Sequence, residues 1–179
     1  MTTVALARTK TVFQSIPAQM LSGVLALTLL SQVVIPLPFS PVPLTLSTLA
    51  AMLLGVYLGP IRGMAAAVLY AAAAAVGAPI LAGFTAGVMV VSFGYVIGYI
   101  VAAGIVGVYA SRLGKANPLI AFFVAGAASL SVYIPGVIWM MLATGMDLRT
   151  GIAAGVVPFL IGDALKSIVV AGALTMVRR

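Results

Sequence analysis

Pro158-Phe159-Leu160-Ile161-Gly162-Asp163-Ala164-Leu165-Lys166 opens an apolar run that continues to Val177. An acid and a base three residues apart lie inside it, on one face of any helix formed there. The chain has only two acidic residues, so half of its negative charge sits in this run. A charged side chain at the middle of a bilayer costs roughly 2.5–3.5 kcal/mol on insertion scales. Incurring that cost twice on one helix face points to the floor of a binding site. Proline is tolerated in the first turn of a helix, and about 20 residues from Pro158 cross a ~30 Å hydrocarbon core. On that register Asp163 and Lys166 lie roughly 8 and 12 Å below the outer edge, at ~1.5 Å per residue. A helix starting at Gly151 would lower them to the midplane or beyond; the first register is preferred.

The rest of the chain is scarcely more polar than this run. Of its 179 residues, 64% are hydrophobic and 6% charged, and the mean hydropathy is +1.29. So few polar groups cannot cover a water-soluble domain of this size, so residues 1–179 read as one all-α integral membrane domain with lipid as its solvent. There is no Cys and no His, which leaves no disulfide framework, no expected metal site and no cofactor chemistry. With two acids besides, intramembrane catalysis is not expected, and the chain is read as a non-enzyme. Lys115 follows Gly114 but precedes Ala116, so there is no phosphate loop and the chain cannot be its own ATPase. The net charge of +7 comes from basic residues scattered between apolar runs, which points to membrane topology and not to nucleic acid.

Gly, Pro and charge divide the chain into six expected transmembrane helices, at about 16–35, 44–58, 61–76, 86–110, 118–142 and 152–177. The stretch from Ile16 follows Arg8 and Lys10, as a signal peptide would, but lacks a small-x-small cleavage site and is expected to remain as the first span. The second and third are short and joined by Gly59-Pro60-Ile61-Arg62, so they are expected to pair as a hairpin. With six spans, Arg8, Lys10, Arg62, Arg112, Lys115, Arg178 and Arg179 share one face and Arg149 lies on the other, beside Asp147. By the positive-inside rule that bias makes both termini cytoplasmic.

Three connections then form the outer face. The first two, Pro36–Pro43 and Gly77–Gly87, carry no charge and are rich in Pro, Gly and apolar residues. Either they are half-buried turns or they form a stiff lid over an outward-facing pocket. Asp163 and Lys166 could be a self-neutralising structural pair, a proton relay, or an acceptor and donor presented to a polar ligand. Burying an ion pair is seldom a net gain over apolar residues, which favours the ligand. Phe84, Tyr95 and Trp139 lie near expected outer ends and are candidate pocket walls, although most such aromatics, Tyr99 and Tyr133 included, serve as belt or core residues. Ala18, Ser22 and Ala26 form a small-residue stripe on the first span, which suits either close helix packing or docking.

Several segments, in order, resemble the BioY family, the biotin-specific S components of energy-coupling factor transporters. Pro41-Val42-Pro43-Leu44-Thr45-Leu46-Ser47-Thr48-Leu49 resembles its Pro-Val-Pro-x-Thr-x-Gln-Thr-Leu stretch, and Leu58–Gly63 the turn that follows. Gly77–Gly83 is similar to its Gly-x-Pro-x-Phe-x-Gly loop, Gly94–Tyr99 to Gly-Tyr-x-x-Gly-Phe, and Tyr133–Trp139 to Tyr-x-x-Gly-x-x-Trp. Pro158–Lys166 resembles the Pro-Phe-x-x-Gly-Asp-x-x-Lys signature closely. The likeness spans about residues 17–177. It departs at Ser47, where the family carries Gln, at Val90–Phe93, and at Phe84-Thr85-Ala86, which lacks a polar amide.

The resemblance implies a six-helix S-component bundle in a bacterial cytoplasmic membrane that binds biotin from outside. It implies a transmembrane coupling protein and two cytoplasmic ATPases as partners, with Ala18, Ser22 and Ala26 as the docking face. Thr45 and Ser92, in matched or adjoining segments, join Asp163, Lys166, Tyr95, Phe84 and Trp139 as expected substrate contacts. The ureido ring offers donors and an acceptor that Asp163 and Lys166 complement, but Lys166 could equally meet the valerate carboxylate. The alternatives are a proton-coupled secondary carrier of a small polar metabolite using Asp163, and a purely structural membrane subunit.

Overall fold

Ser15, whose side chain accepts from the backbone N–H of Ala18, starts helix α1 at Ile16–Ser31. The computed structural model describes residues 15–112 and 117–177. Arg8, Lys10, Lys115, Arg178 and Arg179, named in the topology reading, lie outside the described residues. Helix α1 ends earlier than the expected residue 35 because four prolines follow between Pro36 and Pro43. There the chain forms a two-residue antiparallel ladder, β1 (Val34–Ile35) with β2 (Leu44–Thr45), in which Val34 faces Thr45 and Ile35 faces Leu44. This small hairpin is the one departure from all-helical architecture among the described residues.

Helix α2 runs over Ser47–Ala75 but is interrupted at Gly59, whose φ of 79° and ψ of 179° are not helical. A side-chain carbon on Gly63 would lie 3.0 Å from the Leu54 carbonyl, whereas nine residues of straight helix span about 13 Å. The chain therefore turns back at Gly59-Pro60, and the two limbs pack together. Glycine suits the turn because it alone takes that backbone conformation without strain. Helices α3 (Phe93–Arg112) and α4 (Pro118–Thr144) follow. Helix α3 begins later than the expected residue 86, because Gly87 at φ 87° and a turn from Val90 to Phe93 keep that segment irregular. Asn117 caps α4 through Leu119 and Ile120, and left-handed Gly145 ends it.

The last expected span, 152–177, is two helices. Asp147 caps α5 (Leu148–Gly155), the backbone breaks at Val156, and a 3-10 turn Val157–Phe159 leads into α6 (Leu160–Met176). Pro158 sits in that turn, two residues before α6 and not in its first turn as expected. The expected count of six transmembrane helices is not what these boundaries give. Among the described residues four helices are long and apolar enough to cross a membrane, Ser47–Ala75, Phe93–Arg112, Pro118–Thr144 and Leu148–Met176, and Ile16–Ser31 is a shorter apolar one. Two features lower the count: Gly59 joins the second and third expected spans in one helix, and Ile16–Ser31, at 16 residues, is shorter than the others.

The bundle is held by small residues that let backbones meet. Gly55 on α2 abuts the backbone of Ala103 and Gly107 on α3, and Gly98 on α3 lies against Val132 on α4. In lipid such close approach substitutes for the hydrophobic drive that water supplies. Helix α1 buries Gly23, Leu27 and Ser31. Ala18 and Ala26 on the neighbouring stripe are half-buried and Ser22 is exposed.

Candidate functional site

Helix α6 delivers its two charges to one point. Asp163 lies in the first turn, where the positive end of the helix dipole favours a carboxylate. Lys166, nearly a turn further on, reaches back so that Nζ lies 2.8 Å from Asp163 Oδ1. Tyr133 on α4 donates its hydroxyl to the other oxygen, Oδ2. Asp163 and Lys166 are only 7% and 6% exposed. Both carboxylate oxygens are thus engaged, and every buried side-chain nitrogen or oxygen among the described residues has a partner. That completeness matters because a buried charge left alone costs several kcal/mol.

Aromatic rings flank this cluster. Tyr95 meets Tyr133 edge-on at 6.4 Å between centroids, and Phe159 lies 6.4 Å from Tyr95 and 6.5 Å from Tyr133. Tyr95 is fixed at its far end by donating to the Gly155 carbonyl at 2.9 Å. A methyl on Gly155 would meet that hydroxyl at 2.6 Å, so the break before α6 has to be bare of side chain here.

These groups border a narrow, partly open cavity with about 40 Å³ of room for the centres of water-sized molecules. Val42 and Pro43 from the 36–43 loop and Leu81 and Ala82 from the 77–87 loop line its other side, so the structure brings both uncharged loops onto it. Hydroxyls of Thr45, Ser47, Thr48 and Ser92 complete a lining whose only charged side chains are Asp163 and Lys166.

Of the site residues expected from sequence, Asp163, Lys166, Tyr95, Ser92 and Thr45 all line this cavity. Phe84 and Trp139 do not. Phe84 is 68% exposed with a φ of 56°, and its backbone N–H, not its ring, makes the structural contact, to Gln32 Oε1 at 3.2 Å. Trp139 packs on Phe93 at 5.6 Å and lines a separate surface depression with Val88, Met89 and Leu142. Tyr99, Tyr133 and Phe159, which are not among the site residues expected from sequence, also line the cavity. The signal for Tyr133 was depth. It lies nine residues, or roughly 13 Å, from the expected end of its span, near the roughly 12 Å given to Lys166 on an antiparallel neighbour.

The model of the BioY family matches residues 3–179. This chain belongs to the BioY family. The biotin transporter BioY of Thermotoga maritima is 30% identical to this BioY-family chain over 140 residues, 76% of this chain and 81% of that one. That of Rhodobacter capsulatus is 32% identical over 148 residues, 75% and 77% of the two chains. A crystal structure of the S-component for biotin from an ECF-type ABC transporter matches with a TM-score of 0.80 at 23% identity, covering 89% of this chain and 88% of that one. The BioY-family chain therefore has the S-component fold.

Proposed function

We propose that this BioY-family chain binds biotin from the outer side of the membrane and delivers it inward as the S component of an energy-coupling factor transporter. It is a transport subunit, not an enzyme. The observation that carries this reading is the Asp163–Lys166–Tyr133 cluster on the wall of an otherwise uncharged cavity. The names of its relatives agree with it.

The ureido ring of biotin has two N–H donors and one carbonyl acceptor. Asp163 oxygens keep lone pairs for the donors, and Lys166 has protons left for the carbonyl. A carboxylate at this place would face Asp163 and meet a pair that is already neutral. The ureido end therefore belongs at the cluster and the valerate chain toward the loops. The fused ring and chain suit the faces of Tyr95, Tyr99 and Phe159.

A proton relay through Asp163 finds no support below the cluster. Ser167 gives its hydroxyl back to the Asp163 carbonyl at 2.7 Å, and the buried positions beyond it on α6 are Val170, Ala171 and Leu174.

The topology belongs to the same proposal. The two limbs of α2 count as two crossings, which gives six in all and puts both termini in the cytoplasm of a bacterial cell. Docking on the coupling protein, which works with two ATPases, uses Ala18, Ser22 and Ala26, on a face of α1 that the bundle leaves partly open.

Titration of the detergent-solubilised protein with labelled biotin tests the reading. One-to-one saturable binding is expected. Biotinol, which lacks the carboxylate, should compete well, and 2-iminobiotin, which lacks the ureido oxygen, should compete poorly. The reverse order would put the valerate end at Lys166. Uptake by vesicles carrying this chain without any ATPase would favour the secondary carrier.

A further inference from the structure

We infer that Gln32, the first residue after α1, is a positioning residue that latches the 80–84 turn over the cavity and so sets how fast the ligand enters and leaves. This rests on reading the cavity as the biotin site. The second outer loop is built as a flap. Both of its ends are tied to one place, the end of α2, since the backbone N–H groups of Gly77 and Gly87 both donate to the Ala74 carbonyl, at 3.1 and 2.8 Å. Both glycines have positive φ, 100° and 87°, the conformation that leaves a loop end least restrained by side chains. The tip, Leu81 and Ala82, lines the cavity, with Leu81 only 2% exposed.

Gln32 holds that tip with both ends of one amide. Its Nε2 donates to the Leu81 carbonyl at 3.1 Å, and its Oε1 accepts from the Phe84 backbone N–H at 3.2 Å. The flipped amide would set nitrogen against an N–H and oxygen against a carbonyl, so the orientation is fixed by its partners. The two Nε2 protons are shared among the Leu81 carbonyl, the Thr28 carbonyl at 3.1 Å, Ser31 Oγ at 2.9 Å and the Ile80 carbonyl at 3.4 Å, which keeps the amide between α1 and the turn. Next along the turn, the Ile80 carbonyl accepts from Ser31 at 2.9 Å and Tyr70 at 3.0 Å. Opening to Leu81 therefore has to break the Gln32 bonds, while Ile80 can stay anchored. Phe84, next to the latch, sits at φ 56°, a left-handed conformation that bulky residues hold only under constraint. The first loop is no match as a gate, being stiffened by prolines and closed at its base by the β1–β2 ladder.

Residues 77–92 contain no ionisable side chain, so the latch is neutral. Hydrogen exchange on the ligand-free protein tests it directly, because local opening sets the exchange rate. In Gln32→Leu, exchange over 78–86 should rise about tenfold, the effect of losing one or two hydrogen bonds, with α3, α4 and α6 unchanged. Gln32→Glu keeps the acceptor for Phe84 but sets a second carboxylate oxygen against the Leu81 and Thr28 carbonyls, and should open the turn at least as much as Gln32→Leu. Gln32→Asn, one methylene short, should resemble Gln32→Leu and serves if that variant folds poorly. Labelled biotin should leave and enter Gln32→Leu faster by similar factors, so that Kd moves less than about threefold while both rates move about tenfold.

Unchanged exchange over 78–86 overturns the latch. A weaker Kd carried wholly by faster release, with entry unchanged, overturns the gating role. Failure of the wild-type protein to bind biotin overturns the proposed function and the kinetic claim with it, while the exchange arm still decides the latch.

Discussion

The cavity has two unlike walls. On the α6 side, three side chains from two helices form a charged, fully paired cluster around Asp163. On the loop side, the lining from Val42, Pro43, Leu81 and Ala82 is uncharged, and it is held by backbone groups and by the neutral side chains of Gln32, Ser31 and Tyr70. The difference separates two tasks. On the proposed function, recognition sits on packed helices, and access sits on loops held by bonds that exchange at modest cost. A charged latch would carry a large desolvation penalty each time it moved in an apolar setting. A neutral amide avoids that.

Substitutions on the two walls should differ in kind. The largest effect is expected from Asp163→Ala, which strands a buried ammonium. Breaking such a pair typically costs about 3–5 kcal/mol. Thermal unfolding in detergent should register a marked loss of stability, and biotin binding should disappear. A variant as stable as wild type would mean that Lys166 finds water or another partner, and that this wall is less closed than described.

Tyr133→Phe comes next. It removes a hydrogen bond to a charged group, worth about 1.5–3 kcal/mol, and keeps the ring. Biotin affinity should fall between roughly tenfold and a hundredfold by that measure, read by competition against labelled ligand. Unaltered affinity would show that the phenol only completes the bonding of Asp163 in the empty site.

The fold class and the charged wall were legible in the sequence, and the neutral wall only in outline. Mean hydropathy dictates a membrane bundle, and an acid–base pair in an apolar run is conspicuous because each charge is costly there. The Gly59-Pro60 reversal was readable too, as a turn, although its tightness hides the second and third spans within one helix. Helix ends were less legible. The proline run shortens α1, and the break at Val156 divides the last span. Trp139 lies outside the Asp163 cavity for a geometric reason. It lies six residues after Tyr133, about 240° around a helix, so the two cannot face the same cavity. Gln32 left no trace at all. Its partners are backbone groups 49 and 52 residues away, and a side-chain pattern does not encode a bond to a distant carbonyl.

Smaller effects sharpen the contrast from the other side. Phe84→Ala should change biotin affinity by no more than about twofold, the scale of an ordinary surface substitution, because the ring is outside the cavity. A large loss in the same competition assay would place that ring on the ligand.

The smallest effect concerns Asp147, beyond the cavity at the start of α5. The Thr150 hydroxyl and backbone N–H hold its carboxyl below the usual carboxylate range. A depressed folded pKa contributes stability above the ordinary aspartate value of about 3.9, and that contribution is lost as pH falls through the folded value. Hydrogen exchange in α5 should therefore be insensitive to titration of this cap from pH 5 to 8 and rise only in stronger acid. A rise within the neutral range would mean that the cap is not what holds α5.

The central claim is that Asp163 and Lys166 are there for the ligand and not for the fold. The paired variant Asp163→Asn with Lys166→Met removes both charges together and strands neither. Calorimetric titration of that variant with biotin, on protein whose helicity and melting match wild type, is the direct measurement. The account predicts no saturable binding. Affinity within a few-fold of wild type would contradict it and reduce the pair to a structural one.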